Sequence, residues 1–117
     1  MKSRDSLIRL KRFQVDEKRR QVTQIEMMIA DFARMISDLD DQIVGEQNRV
    51  GIHDIAHFAY PTFAKAAMQR RDNLKVSVKD LEDKLDDARE ALGAAVEEMK
   101  KIELIEERDQ ARERARS

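Results

Sequence analysis

His53 and His57 stand four residues apart. On a helix that spacing puts two imidazoles on one face, where they hold zinc if a third donor joins them. The chain has no cysteine, and Asp54 would point away from the shared face, so polar residues at a turn are the plainer reading of the pair. Asp38, Asp40 and Asp41 superficially suggest a calcium loop, yet they lie inside a continuous heptad pattern without the glycine and closing glutamate that such a loop needs. A solvated helix face accounts for them. Gly45, Gly51 and Gly93 are isolated and make no phosphate cradle. Ser3, Ser6, Ser37, Ser77 and Ser117 have no base or oxyanion-stabilising donors placed beside them by any motif. Enzymatic activity, a metal and a cofactor are therefore not expected.

The elements that carry these residues are helices. Asp, Glu, Lys and Arg make up 40% of the chain and aromatics only 4%, against roughly 25% charged residues in an ordinary soluble domain. A thick core cannot be built from this composition, whereas its abundant Ala, Leu, Glu, Lys, Arg and Met are good helix formers. The longest stretch without a charged residue runs from Ile55 to Ala64 and contains Pro61, far short of the roughly 20 apolar residues that span a bilayer. Arg9, Lys11 and Arg12 interrupt any apolar segment behind Lys2 and Arg4, so a secretory signal is not expected, nor direct membrane insertion. A cytoplasmic location follows as the expectation.

Val22, Ile25, Ile29, Phe32, Ile36, Leu39 and Ile43 alternate in steps of three and four, the spacing of heptad positions a and d. Extended both ways, the a series reads Ile8, Val15, Val22, Ile29, Ile36, Ile43 and Val50, every one β-branched. Gly51 suits a left-handed stop and Pro61 the first turn of a second helix. There the pattern resumes with Tyr60, Ala67, Leu74, Leu81, Ala88, Ala95 and Ile102 at d. The spacing predicts one elongated domain over 1–117: helix 1 over about 4–50, a turn over about 51–60 and helix 2 over about 61–113.

In an antiparallel pair, a residues of one helix face d residues of the other. Pairing residues whose numbers sum to 110 matches Ile8 with Ile102, Val15 with Ala95, Val22 with Ala88, Ile29 with Leu81, Ile36 with Leu74, Ile43 with Ala67 and Val50 with Tyr60, all apolar. The same offset sets Lys11 against Met99 and Lys18 against Leu92, where long stems lie along the seam and snorkel, and Arg4 against Glu106. One offset that serves the whole length predicts an all-α fold, two long helices forming an antiparallel coiled-coil hairpin within one chain. At about 1.5 Å per residue helix 1 would be on the order of 70 Å long.

Two surface features remain. Residues 1–20 hold eight basic and three acidic side chains, and the cluster of Arg9, Lys11, Arg12, Lys18, Arg19 and Arg20 admits three readings: a solvated face, a nucleic-acid patch, or a docking surface for an acidic or loop-lined protein. A net charge of −1 and the interruption by Asp16 and Glu17 weigh against nucleic acid. Phe58, Tyr60 and Phe63, beside Ile52 and Ile55, gather at the turn. They either seal the end of the hairpin or anchor a partner.

The segment Ser6-Leu7-Ile8-Arg9-Leu10-Lys11-Arg12-Phe13-Gln14-Val15-Asp16-Glu17-Lys18-Arg19-Arg20, the heptads behind it, and the turn segment Ala56-His57-Phe58-Ala59-Tyr60-Pro61-Thr62-Phe63-Ala64 resemble the flagellar type III export protein FliJ family in its alphaproteobacterial form. The likeness covers nearly the whole chain. It implies an antiparallel coiled coil similar to the central stalk of rotary ATPases, peripheral at the base of the flagellum. In that family the open end of the hairpin inserts into the export ATPase ring, and members also bind the cytoplasmic part of the export gate and handle export chaperones. Carried onto this chain, the resemblance implies an ATPase-facing end at Lys2 to Arg20 with Lys101 to Arg116. Leu7, Arg9, Leu10, Arg12, Phe13, Arg19 and Arg20 are its expected contacts, with Phe58, Tyr60 and Phe63 left for the gate or a chaperone. An escort of export chaperones or substrates that enters no ring is the alternative.

Overall fold

A computed structural model describes residues 2–116, and the side chains of 4–116. The side chains of Lys2 and Ser3, and Ser117, named above, lie outside the described residues. The chain is all-α. Helix α1 runs Lys2–Val50 and α2 runs Thr62–Arg116, paired antiparallel as a hairpin. The chain divides into two compact units: a terminal unit of Met1–Gln24 with Leu85–Ser117, and a loop unit of Ile25–Lys84.

In the terminal unit Ile8, Val15, Val22 and Leu85 are buried, and Val15 is the largest side chain fully withdrawn from solvent. Val, Ile and Leu each contribute about 1.5–3 kcal/mol when fully buried. A row of them along one stripe holds two helices together without a third layer. Charged residues then secure the register from the flanks. Arg4 bridges Glu106 at 3.3 Å and also Asp109; Lys11 Nζ reaches Glu98 at 2.8 Å, and Arg12 lies 3.7 Å from Glu103. Lys11 occupies a seam position, and its stem runs along the apolar row until the ammonium emerges at the flank.

In the loop unit Leu39, Ile43 and Ala67 form a buried cluster, with Met68 and Leu74 packed against it. Arg71 falls at a seam position and is accommodated because Asp40 accepts from its guanidinium at 3.0 Å, with Asp72 at 3.2 Å. The hydrogen bond to Asp40 holds the Arg71 pKa above its ordinary value. Glu46, also at a seam position, is met by Arg49 one turn on, which holds the carboxyl below the usual carboxylate range. Arg49 sits in the last turn of α1, where a cation also complements the helix dipole.

Helix α1 ends where Gly51 turns to φ 78°, its N–H donating to the Gln47 carbonyl at 2.8 Å. Only a residue without Cβ adopts that conformation cheaply. The connection then folds as two turns, His57 N–H to the Asp54 carbonyl at 3.1 Å and Tyr60 N–H to the His57 carbonyl at 3.0 Å. The Asp54 carboxylate accepts from Ala56 N–H at 2.9 Å. Pro61 precedes α2, its carbonyl accepting from Lys65 N–H at 3.1 Å. It thereby begins the helical ladder without needing an N–H of its own.

The cross-helix partners sum to 110 for Arg4 and Glu106, 109 for Lys11 and Glu98, and 111 for Asp40 and Arg71, which fixes the register near the offset read from the heptads. The double variant Ile36→Cys, Leu74→Cys is therefore expected to form an intramolecular disulfide under mild oxidation. Non-reducing electrophoresis checks it, and exclusive formation of cross-linked dimers would contradict the pairing.

Candidate protein-binding surfaces

Because the seam takes up only one stripe of each helix, function has to be read from the side chains that the seam leaves outside. In the terminal unit Leu7 is 40% exposed, Leu10 50% and Phe13 59%. Steps of three fall slightly short of a helical turn, so these residues wind from the flank of the seam to the back of α1. Arg9 and Phe13 lie one turn apart on that back face, and Arg20 follows one heptad after Phe13. Arg12 and Arg19 lie on a flank of the seam. Arg12 approaches Glu103, whereas Arg19 and Arg20 pair with Asp16 and Glu17 on their own helix. Exposed pairs of this kind contribute little to folding, and a partner's carboxylate can replace them.

Heptad counting also puts Leu104 and Ile105 of α2 outside the seam, a signal the sequence contained and the expected site did not include; both are 47% exposed in the same unit. A groove of about 520 Å³ opens between Gln14, Glu17 and Lys18 of α1 and Ala91, Ala94, Ala95 and Glu98 of α2. Three of its lining residues are alanines, of which the heptads had named only Ala95.

The turn cluster is divided by the structure. Phe58 is 97% exposed and stacks on His57 with ring centroids 4.7 Å apart; Phe63 and Ile55 are about half exposed. Tyr60 is buried, its hydroxyl accepting from Gln47 Nε2 at 2.8 Å and donating to the Met68 sulfur at 3.5 Å. Tyr60, grouped with Phe58 and Phe63 as a contact residue, instead closes the apolar seam. Its ring packs at the end of the seam beside Gln47 and Met68, and its polar tip is satisfied there.

His53 and His57 lie in the connection rather than on a helix, and each ring is engaged locally. His53 Nε2 is hydrogen-bonded to Asn48 Oδ1 at 3.1 Å, and His57 Nδ1 accepts from Ala59 N–H at 3.0 Å. Asp40 faces Arg71, and Ser77 donates to the Asn73 carbonyl. Among the described residues no three His, Asp or Glu side chains converge on a metal position, and no helix is long and apolar enough to cross a membrane. In the loop unit Met27, Met28 and Met35 are exposed together with Val44 and Val76. These arrangements offer apolar and cationic contacts to other macromolecules. Comparison with protein-family models, curated proteins and solved structures yields no match.

The division of the turn cluster is testable by urea unfolding. Tyr60→Phe removes two hydrogen bonds from a buried ring and should cost about 1 kcal/mol, while Phe58→Ala should change stability by no more than about 0.5 kcal/mol. Equal losses would mean that Phe58 packs into the fold.

Proposed function

We propose that the chain is a non-enzymatic stalk and adaptor of a flagellar type III protein export apparatus. Its terminal unit would enter the export ATPase ring, and its connecting turn would be left to meet the cytoplasmic part of the export gate or an export chaperone. The observation that carries this reading is the exposed strip of Leu7, Leu10 and Phe13 beside Arg9, Arg12, Arg19 and Arg20 on the helix that also carries the N-terminus. An exposed aromatic such as Phe13 among arginines has the composition of a binding interface, and exposed apolar neighbours such as Leu7 and Leu10 add area that can be taken from water. They serve no purpose in the seam. The exposed Phe58 and Phe63 support a second contact at the turn on the same grounds.

The alternative, an escort of export chaperones or substrates that enters no ring, is favoured by a different observation. Met27, Met28 and Met35 are exposed on α1, and flexible, polarizable thioethers suit surfaces that accept several partners.

ATP turnover by a flagellar export ATPase separates the two. Arg9→Glu with Phe13→Ser changes exposed positions, so circular dichroism should be unaltered, while stimulation of the ATPase should fall at least about tenfold, the equivalent of about 1.4 kcal/mol of binding. Full stimulation by the folded variant would remove the stalk reading. Loss of chaperone binding on replacing Met27, Met28 and Met35 with Ser would then support the escort.

A further inference from the structure

We infer that the terminal unit associates with a second copy of this chain through one flank of its seam, in an antiparallel two-fold contact. Leu7 lies one heptad before Gln14 on α1, and Ile105 lies one heptad after Glu98 and two after Ala91 on α2. The apolar projections Leu7 and Ile105 and the groove floored by Ala91, Ala94 and Ala95 therefore occupy the same flank of the unit. With partners summing to about 110, Ala94 is level with residue 16, so groove and projections are separated by about nine to eleven residues, on the order of 15 Å.

A face with a projection at one end and a recess at the other complements itself when a copy is turned end for end. Such a contact is isologous: the leucine of each copy fills the groove of the other, and both contacts form together. The charges follow the same scheme. Glu17 and Glu98 stand at the groove, with Lys18 beside them. Lys101, Arg108 and Arg112 line the projecting end of α2, at heptad spacings from Ala94 and Ile105. Glu98 already meets Lys11, and Glu17 meets Arg20, but a carboxylate has acceptor sites for a further donor. Turned end for end, the cationic end of each copy would lie over the acidic groove of the other. The reverse, parallel arrangement would set projection on projection and cation on cation.

This pairing stands independently of the export reading. Leu7 and Leu10 belong to the expected ATPase contact as well, so if both hold, self-association and entry into a ring exclude each other.

Sedimentation equilibrium of the full chain should show the mass rising from 13.7 kDa toward twice that value at about 100 µM chain, the range suited to a small interface. Ala94→Glu, at an exposed position, places a carboxylate on the groove floor and should weaken dimerisation at least about tenfold. The chain has no native cysteine, so a second test needs no background correction. A Leu7→Cys chain mixed with an Ala94→Cys chain should give the mixed disulfide in excess over either self-linked product. A chain that stays monomeric, a dimer indifferent to Ala94→Glu, or Leu7→Cys linking mainly to itself would each overturn the inference. In the first case the flank would be left for a helix of a different protein.

Discussion

Everything in this protein depends on a single narrow seam. Each helix can bury only one stripe, and with so few aromatic residues that stripe has to be filled by medium-sized side chains in register. The β-branched a positions of α1 meet this demand. They are stiff, so packing them costs little rotamer entropy, and they face mostly Ala and Leu at the d positions of α2. Val15 being the largest fully withdrawn side chain shows how thin the resulting core is.

A thin core transfers part of the structural task to its edges. Of the seam positions that are not apolar, Arg4 meets Glu106, and Lys11, Glu46 and Arg71 are met by Glu98, Arg49 and Asp40. The Tyr60 hydroxyl is satisfied inside the fold by Gln47 and Met68, and the charged side chains described near the seam are not buried, so they escape the full penalty of burial. The turn follows the same logic. Its carbonyls and N–H groups are closed by Asp54, His57 and two tight turns, while Tyr60 continues the apolar row to its last position.

The side chains that hold the fold are thus separated from those that the surface exposes. Side chains at a and d hold the helices, and those at the remaining positions are available to partners. Leu7, Leu10, Phe13, Leu104 and Ile105 in one unit, and Phe58 and Phe63 in the other, are exposed apolar groups that the seam does not use. Substitutions there should affect binding more than folding, which makes the functional proposals separable from stability.

The hairpin and its register were legible in the sequence because heptad periodicity is a local signal and the antiparallel constraint makes the two helices check each other. Arg4 facing Glu106 could be read from residue numbers alone. Other features depended on three-dimensional placement. Tyr60 carries both a d-position signal and an aromatic-cluster signal, and only packing against Gln47 and Met68 decided that it faces inward. Phe58, two residues earlier, lies outside the helices, where no periodicity governs orientation, and its near-complete exposure follows from the two turns of the connection. Ala95 reads in sequence as a small d residue of the seam, and Ala91 and Ala94 lie off the a and d series. That they floor a groove beside Gln14 is a property of the space between two helices, which neither helix encodes by itself.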